Sequence, residues 1–234
     1  MRLFPILLLA SPFFASSLSA QTSTSAAQLS LRALYVEDQR DRGVPLADDG
    51  KSILSKVEAD KLPSYDWPQI NKRDEERRKL THGLMEQGKL QTGEDFYDAA
   101  FIFQHGQSPD DYLLAHVLAV EAIARGQHSA IWISAATLDR YLQSLGQKQI
   151  FGTQYSDGKY AFYLQHRNDK NLDAEMQAFD ASKQTLEPYD ETLLPNTIRN
   201  NFCVPNPDLQ HAYVDAVNAG KNATPPRLAD CRKE

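Results

Sequence analysis

A histidine and two carboxylates share one side of a predicted central helix. Over residues 94–105 this helix is apolar around most of its circumference, and its polar stripe consists of Glu94, Asp98 and His105. A carboxylate one or two turns from an imidazole can orient the ring or shift its pKa. The spacing therefore makes His105 and Asp98 candidate catalytic residues of an acid–base pair. The other interpretations are two metal ligands in need of others, an exposed polar edge, or a His105 cation that caps the helix.

Charged residues also fall on a helix face that should pack inward. In the predicted helix that begins near Trp67, Asp74 and Arg77 lie in the same arc as the apolar Ile70 and Leu84. Charges on a buried face must be paired or hydrated. The two residues are therefore either a buried structural ion pair, with snorkelling arginines as a variant of that interpretation, or part of the wall of a polar pocket.

Two adjacent charges, Asp139 and Arg140, follow an apolar run in another predicted helix. Neighbouring helical residues point about 100° apart, so these two side chains do not pair well with each other. Each needs a partner from another element, and the polar end of the first predicted helix could supply it. The candidate segment there is Asp38-Gln39-Arg40-Asp41-Arg42.

A short segment after this helix combines glycine with amides and a hydroxyl. Gln149, Thr153 and Gln154 surround Gly152, where another chain or a ligand could approach the backbone. The alternative is a glycine bulge on an edge strand. Together with Gln104, the predicted binding residues are Asp38, Gln39, Arg42, Asp74, Arg77, Gln104, Asp139, Arg140, Gln149, Thr153 and Gln154.

These residues form short motifs along the chain, which in order are Asp38-Gln39-x-x-Arg42, Asp74-x-x-Arg77, Gln104-His105, Asp139-Arg140 and Gly152-Thr153-Gln154. In this pattern, residues 30–155 resemble an uncharacterised bacterial family that is classed as a domain of unknown function. The Gln-His and Gly-Thr-Gln elements are the most specific parts of the resemblance. The resemblance implies a mainly helical domain, and it brings no reaction, substrate or cofactor with it.

Capping patterns predict where the central helices begin and end. Helices should start at the cap residues 66, 92 and 108, and a fourth should run over residues 130–145. Glycines at 88, 106, 126 and 146 follow their ends. A further helix is predicted over residues 25–42, and a short one around 53–57. The short connections favour antiparallel neighbours, as in helical bundles or tetratricopeptide-like pairs.

The last part of the chain has a different pattern. An extended segment at 149–155, an Asp157-Gly158 turn and an alternating aromatic segment at 159–164 predict a β-hairpin. Residues 172–184 are a candidate helix, 184–207 a loop, and 208–219 a last short helix. The predicted fold class is mainly α, an antiparallel bundle or tetratricopeptide-like pairs with a small C-terminal β-hairpin and a loop-rich part at 184–234.

Residues 1–20 have the pattern of a secretory signal, with a positive start, an apolar run and small residues at its end. A membrane anchor is the alternative, but the run is shorter than the roughly 20 residues that span a bilayer. Residues 21–28 are predicted to be a flexible leader, and 29–234 a single domain. We expect a periplasmic or secreted protein without stable membrane insertion after signal cleavage.

Two cysteines, Cys203 and Cys231, are present in the whole chain. They can form a disulfide in an oxidising compartment, and two free thiols are the alternative. No Cys/His spacing indicates zinc, so no metal site is predicted.

Composition and missing motifs argue against several functional classes. The net charge is −6, and the one dense basic cluster is interrupted by acidic residues. These features argue against nucleic acid as the main partner and against docking on anionic lipid. The chain contains no nucleophile-elbow, P-loop, dinucleotide-binding, HExxH or EF-hand pattern, and no cofactor can be identified.

Three functional hypotheses follow from the polar residues on predicted inward faces. The favoured one is an exported module that binds an unknown small molecule or protein in a polar pocket between helices. The alternative is a hydrolase or transferase in which His105 works with Asp98 or Glu94, while an arginine holds an anionic group. In the third, the same residues form a buried ion network that fixes the packing of the helices.

Overall fold

The computed structural model describes residues 31–62, 66–157 and 183–228. Over these residues the protein is mainly helical and has a small two-stranded antiparallel sheet, which confirms the predicted fold class. The predicted signal, the leader and most of the predicted helix at 172–184 lie outside the described residues.

The first helix, α1, is described over residues 31–40. Leu31, Tyr35 and Val36 are buried on one side of it, and Asp38 and Gln39 are buried at its end. A short connection follows, in which Leu46 bridges to Ile53, and then the short helix α2 spans Lys56–Ala59. This short helix lies slightly later in the chain than predicted.

The next two helices begin at the predicted caps because the local side chains satisfy their first backbone N–H groups. Helix α3 spans Trp67–Glu86, and its N-cap Asp66 accepts a hydrogen bond from the Gln69 backbone. Helix α4 spans Gly93–Gln104 and begins with a reciprocal capping box of Thr92 and Asp95.

Two further helices complete the central part of the fold. Helix α5 spans Pro109–Ala124 behind a capping box of Ser108 and Asp111, and helix α6 spans Ala130–Ser144. Helix α4 packs on α5, α5 on α6, and α3 on α4. The connections are short, so consecutive helices reverse direction, as both predicted architectures require.

A hydrophobic core lies between these helices and α1. It is rich in alanine on α4, α5 and α6, which allows the helix backbones to approach closely. Its buried members are Leu31, Tyr35, Val36, Leu46, Leu90, Ala99, Ala100, Ile102, Phe103, Ala115, Leu118, Ala119, Ala122, Ala130, Ile133 and Ala136. The charged residues discussed below border this core.

The small sheet joins a different pair of segments from the predicted hairpin. Strand β1, Ser156–Asp157, pairs antiparallel with strand β2, Gln184–Thr185. Most of the predicted extended segment at 149–155 is irregular, because several of its backbone N–H groups bond to the carboxylate of Asp139 instead of a neighbouring strand. The predicted second half, 159–164, lies outside the described residues.

The described C-terminal residues include a helix that was not predicted. Helix α7, Asn196–Asn201, lies inside the segment 184–207 that was expected to be a loop. Helix α8, Pro207–Asn218, matches the last predicted helix closely. Among the described residues, no helix combines the length and the apolar character that a membrane crossing requires.

Candidate functional site

A buried ion network joins the end of α1 to α3. Arg42 donates one hydrogen bond to Asp38 Oδ1 at 3.0 Å and another to Asp74 Oδ2 at 2.6 Å. Arg77 contacts Asp74 Oδ1 at 2.5 Å and Asp41 Oδ2 at 2.8 Å. The predicted charges on the inward face of α3 are therefore paired, and their partners come from α1 and from α3 itself.

The network is not completely satisfied. Arg77 is only 2% exposed, yet its Nε and Nη1 atoms have no hydrogen-bond partner among the described residues. Burial alone would raise the pKa of Asp74, but the hydrogen bonds and charges of Arg42 and Arg77 outweigh this effect and hold that pKa below its usual value. Asp74 is therefore an ionised, buried partner of two arginines.

His105 contacts a carboxylate from another helix. It directly follows α4, and its Nδ1 lies 3.0 Å from Oδ1 of the fully buried Asp38. Asp38 Oδ2 also accepts a hydrogen bond from Gln39. A carboxylate on Nδ1 favours the tautomer with its proton there, which leaves the lone pair on Nε2. No hydrogen bond to Nε2 is present among the described residues, and the side chain is 14% exposed.

Asp98, the predicted catalytic partner of His105, has other neighbours. It forms an ion pair with Arg32 of α1 at 3.0 Å, and Arg32 also contacts Glu94 at 2.6 Å. Burial raises the pKa of Asp98 well above its usual value, although Arg32 opposes this shift. The helical stripe is therefore divided, with Asp98 and Glu94 facing Arg32 while His105 faces Asp38.

Arg140 connects His105 to the second half of the site. Its Nη1 donates to the backbone oxygen of Gln104 at 2.8 Å, and its Nε donates to Gln154 Oε1 at 3.0 Å. The guanidinium also lies over the ring of Tyr112, 5.8 Å from its centroid. Burial lowers the pKa of His105, and the positive charge of Arg140 contributes in the same direction.

Asp139 holds the loop that carries Gly152. Its two oxygens accept from the backbone N–H groups of Ile150, Phe151 and Thr153 and from the Thr153 hydroxyl, at 2.7–2.9 Å. Burial raises the pKa of Asp139, although these four hydrogen bonds favour its ionised form. The loop thus supplies the hydrogen-bond donors that the buried Asp139 carboxylate needs, and the carboxylate supplies an acceptor for the loop N–H groups.

Gln149 closes the same loop from its other side. It is fully buried, its Oε1 accepts from the Gln154 backbone N–H at 3.0 Å, and its Nε2 donates to the Gln154 backbone oxygen at 2.9 Å. The Gln154 side chain donates in turn to Ala136 O and Thr153 Oγ1. Gln154 is therefore fixed in position against Arg140.

The structure brings most of the predicted binding residues into one continuous series of contacts. It runs from α3 through the end of α1 to the end of α4, and then through α6 to the loop at 149–154. Its members, in order of contact, are Arg77, Asp74, Arg42, Asp38 with Gln39, His105 with Gln104, Arg140, Gln154, Gln149, Thr153 and Asp139. Asp98 lies outside this series.

An open cleft of about 380 Å³ lies beside Arg140. Its wall is largely polar, and two tyrosine rings supply flat apolar surface. The lining residues are Tyr112, Arg140, Gln143, Gln154, Tyr155, Ser156 and Asp157. A volume of this order suits a small molecule, because ligand pockets begin at roughly 300 Å³.

Two polar groups in the cleft wall are buried without a partner. Gln143 is 4% exposed, and its Nε2 makes no hydrogen bond within the described part of the chain. The same holds for the buried Ser156 Oγ. Buried polar groups nearly always have a hydrogen-bond partner, so two unpartnered groups on residues that line one cleft indicate a place for bound water or a ligand.

Sequence reasoning missed several residues of this region. Gln143 lies one turn after Arg140 on α6, and this spacing was the available signal for it. Arg199 gave no local signal, yet it is fully buried and donates to Phe151 O at 2.9 Å and to the Tyr189 hydroxyl at 2.7 Å.

Gln210 supports the loop from α8. It donates to Phe151 O at 2.8 Å and to Gly152 O at 3.0 Å. At Gly152 the backbone has φ = +76°, and a Cβ there would lie 2.5 Å from Gln210 Oε1. The close approach of Gln210 therefore requires glycine at position 152. Gln210 is distant from Gly152 in the sequence, so this requirement could not be read from the local sequence.

Neither a metal site nor the predicted disulfide pairing can be drawn from the described residues. Within them, no group of three or more His, Cys, Asp or Glu side chains could hold a metal ion. Cys203 is buried after α7, and Cys231 lies outside the described residues. The pairing therefore stays a prediction.

Comparisons with known proteins give no further assignment. No protein-family model, no curated protein and no solved structure matches the chain.

Proposed function

We propose that the protein is a binding module that holds a small polar molecule in the cleft beside Arg140. The observation that carries this proposal is the pair of buried, unpartnered polar groups, Gln143 Nε2 and Ser156 Oγ, on the wall of a cleft of about 380 Å³. A ligand that satisfied both would recover hydrogen bonds that the unliganded protein lacks.

The hydrogen bonds that hold Arg140 and Gln154 support this proposal. Arg140 is fixed by Gln154 and Gln104, and the loop that carries Gln154 is fixed by Asp139 and Gln149. A site whose side chains are already held in position loses little conformational freedom when a ligand binds. The surrounding contacts are therefore those expected for a pre-formed binding site.

The ion network of α1 and α3 has a different role in this proposal. Arg77 forms ion pairs with Asp38 and Asp74 at the helix interface, and none of these three residues lines the cleft. They stabilise the packing against which Gln104 and Arg140 are positioned. The structural hypothesis from the sequence therefore applies to this network, and the binding hypothesis applies to the cleft.

A thermal-shift screen with sugars, nucleotides, amino acids, peptides and organic acids tests the proposal. A ligand at one hundred times its dissociation constant stabilises the folded state by about 2.7 kcal/mol, which is readily detected. Compounds that stabilise the protein are then titrated by calorimetry into the wild type and into Gln143→Leu. We expect weaker binding to the variant, because the leucine side chain cannot donate a hydrogen bond.

The matched control is Gln147→Leu, which makes the same change at an exposed position just after α6. It should bind like the wild type. If no compound binds, or if binding is equal in the wild type and Gln143→Leu, the cleft is not the binding site and the proposal fails.

A second candidate function is acid–base catalysis by His105, because Asp38 contacts its Nδ1 at 3.0 Å and Nε2 is left as the basic nitrogen. The orienting carboxylate of this candidate enzyme is Asp38, since Asp98 pairs with Arg32. The lowered pKa of His105 keeps the ring neutral near pH 7, as a general base requires.

Kinetic measurements can test the catalytic candidate once a ligand is identified. Turnover of that ligand should fall at least about a hundredfold in His105→Gln, the usual size of a general-base contribution. Asp38→Asn should reduce turnover and shift its pH profile, because it changes the partner of Nδ1. Binding of the ligand without turnover would leave the protein as a binding module.

Export and family membership complete the proposal. The signal pattern of residues 1–20 supports a periplasmic or secreted location, in which a Cys203–Cys231 disulfide can form. The motifs around Gln104-His105 and Gly152-Thr153-Gln154 support membership of the uncharacterised bacterial family that the sequence resembles. We expect other members to carry the same cleft residues if the function is shared.

A further inference from the structure

The unsatisfied groups of the cleft have a definite hydrogen-bonding character. Gln143 offers the N–H groups of its carboxamide, and Ser156 offers a hydroxyl that can donate. Both belong to the same wall, together with the guanidinium of Arg140. Several donors on one wall are best matched by a ligand group that only accepts.

The other polar groups of the wall are already engaged. Gln154 accepts from Arg140 and donates to Ala136 O and Thr153 Oγ1, and the Tyr112 hydroxyl donates to Gly106 O at 2.9 Å. Satisfied groups gain little from a ligand, whereas Gln143 and Ser156 would gain a full hydrogen bond each. These two residues should therefore determine which chemical group is recognised.

Charge distinguishes a neutral acceptor from an anionic one. Arg140 carries a full positive charge one turn before Gln143, while the C-terminus of α6 contributes a partial negative charge of about one half. Asp157 also borders the cleft, but it is exposed, and water screens its charge. Arg140 is the cationic residue that shares the cleft wall with Gln143.

We propose that the cleft recognises an oxyanion, the carboxylate or phosphate group of a small molecule, through Gln143, Ser156 and the positive charge of Arg140. This inference rests on the proposed binding function and specifies the chemistry of its ligand. The rings of Tyr112 and Tyr155 would then contact the less polar remainder of the molecule.

The test uses NMR of the full chain, in which the side-chain amide signals of Gln143 are followed during titration. Inorganic phosphate and acetate are the two anionic probes, and acetamide is the neutral counterpart of acetate. We expect a saturable shift of the Gln143 signals with phosphate, acetate or both, and a much smaller shift with acetamide. Which anion binds more tightly distinguishes a phosphate ligand from a carboxylate ligand.

Two variants and a control make the result specific. Gln143→Glu places a negative charge next to the bound anion. We expect the affinity of this variant for the anion to be at least about tenfold lower than that of the wild type. Gln147→Glu adds the same charge at an exposed position and should change affinity little. Ser156→Ala removes a hydroxyl without adding charge, so it tests the site even if Gln143→Glu fails to fold.

The outcomes separate this inference from the proposal on which it rests. Equal shifts with acetamide and acetate, or unchanged anion affinity in the Gln143→Glu or Ser156→Ala variant, would overturn the oxyanion assignment. A neutral compound that binds the cleft when no anion does would also overturn it, while the binding function would stand. If neither the anions nor any screened compound binds the cleft, both proposals fail.

Discussion

His105 lies between two charged regions, and its environment links the site to pH. Asp38 contacts one ring nitrogen, while burial and the positive charges of Arg42 and Arg140 disfavour protonation. The carboxylate that orients this ring comes from α1, although Asp98 is closer in sequence. The sequence pattern suggested Asp98 as the partner of His105 because both residues lie on the same side of one helix. The packing of α1 against α4 instead places Asp38 next to His105.

The lowered pKa of His105 predicts a loss of stability in mild acid. The unfolded chain binds a proton at this residue near pH 6.5, whereas the folded protein binds it only at lower pH. The stabilisation by neutral His105 is therefore complete above pH 6.5 and is lost as the pH falls towards the folded pKa. Urea unfolding at about pH 7.5 and about pH 5.5 should show a larger fall for the wild type than for His105→Gln.

The exposed His82 provides the control for this measurement, because its side chain is 50% exposed. His82→Gln should keep the pH dependence of the wild type. If the wild type and His105→Gln lose the same stability between the two pH values, the environment described for His105 is incorrect.

A second prediction at the residue scale concerns Asp139. Replacement by asparagine leaves backbone N–H groups of the loop facing an amide that cannot accept all four hydrogen bonds. We expect Asp139→Asn to reduce the free energy of unfolding by about 3 kcal/mol or more, as measured by urea unfolding. Glu37→Gln, at an exposed position of α1, should change it by less than about 0.5 kcal/mol.

At the scale of elements, the caps explain why the central helices could be predicted. Ser108 and Thr92 satisfy N–H groups within three residues, so the sequence alone contains the whole interaction. The loop at 150–153 could not be predicted in this way. It depends on Asp139, on Arg199 and on Gln210, which reach it from three different helices.

The ion network gives a prediction for the contact between α1 and α3. Asp74→Ala removes the carboxylate that Arg42 and Arg77 share, and within the described part of the chain it leaves Arg42 hydrogen-bonded to Asp38 and Arg77 hydrogen-bonded to Asp41. Because the buried positive charge is then less well compensated, we expect a loss of about 3 kcal/mol in the free energy of unfolding. The exposed pair of Glu121 with Arg125 supplies the control. Glu121→Ala should cost less than about 1 kcal/mol. Similar losses for both variants would contradict the structural role of the network.

The same residue predicts how this contact responds to strong acid. The pKa of Asp74 in the folded protein lies below the ordinary 3.8, so its stabilising effect is present above that pH and is lost as the pH falls through the lower folded value. Below about pH 4 the wild type should therefore lose stability more steeply than Asp74→Ala. Equal slopes would show that Asp74 is not held in its ionised form.

At the scale of the whole molecule, the predicted fold class was correct. The structure brings most of the predicted site residues into contact, while Asp98 lies apart from them. Binary patterning fixed which helix faces are buried, and it drew attention to charges such as Asp74 and Asp139 that broke the pattern. The cleft itself was not predictable, because Tyr112, Gln143 and Ser156 come from separate elements whose sequences are unremarkable.

Export of the protein is tested by the mass of the mature chain. We expect the exported protein to start after Ser19 or Ala20. We also expect Cys203 and Cys231 to pair, so that the protein gains the mass of two hydrogens on reduction. Reduction should also lower the free energy of unfolding by about 2–5 kcal/mol. An unprocessed chain, or two thiols that react without reduction, would contradict this account.

A map of the residues that a bound ligand perturbs shows whether the ligand occupies the cleft beside Arg140. Backbone and side-chain NMR signals should be compared with and without the best compound from the thermal-shift screen. We expect the largest changes to cluster at Gln143, Gln154 and Ser156, around the cleft. Changes confined to a different surface, with the Gln143 and Ser156 signals unmoved at saturation, would contradict this expectation.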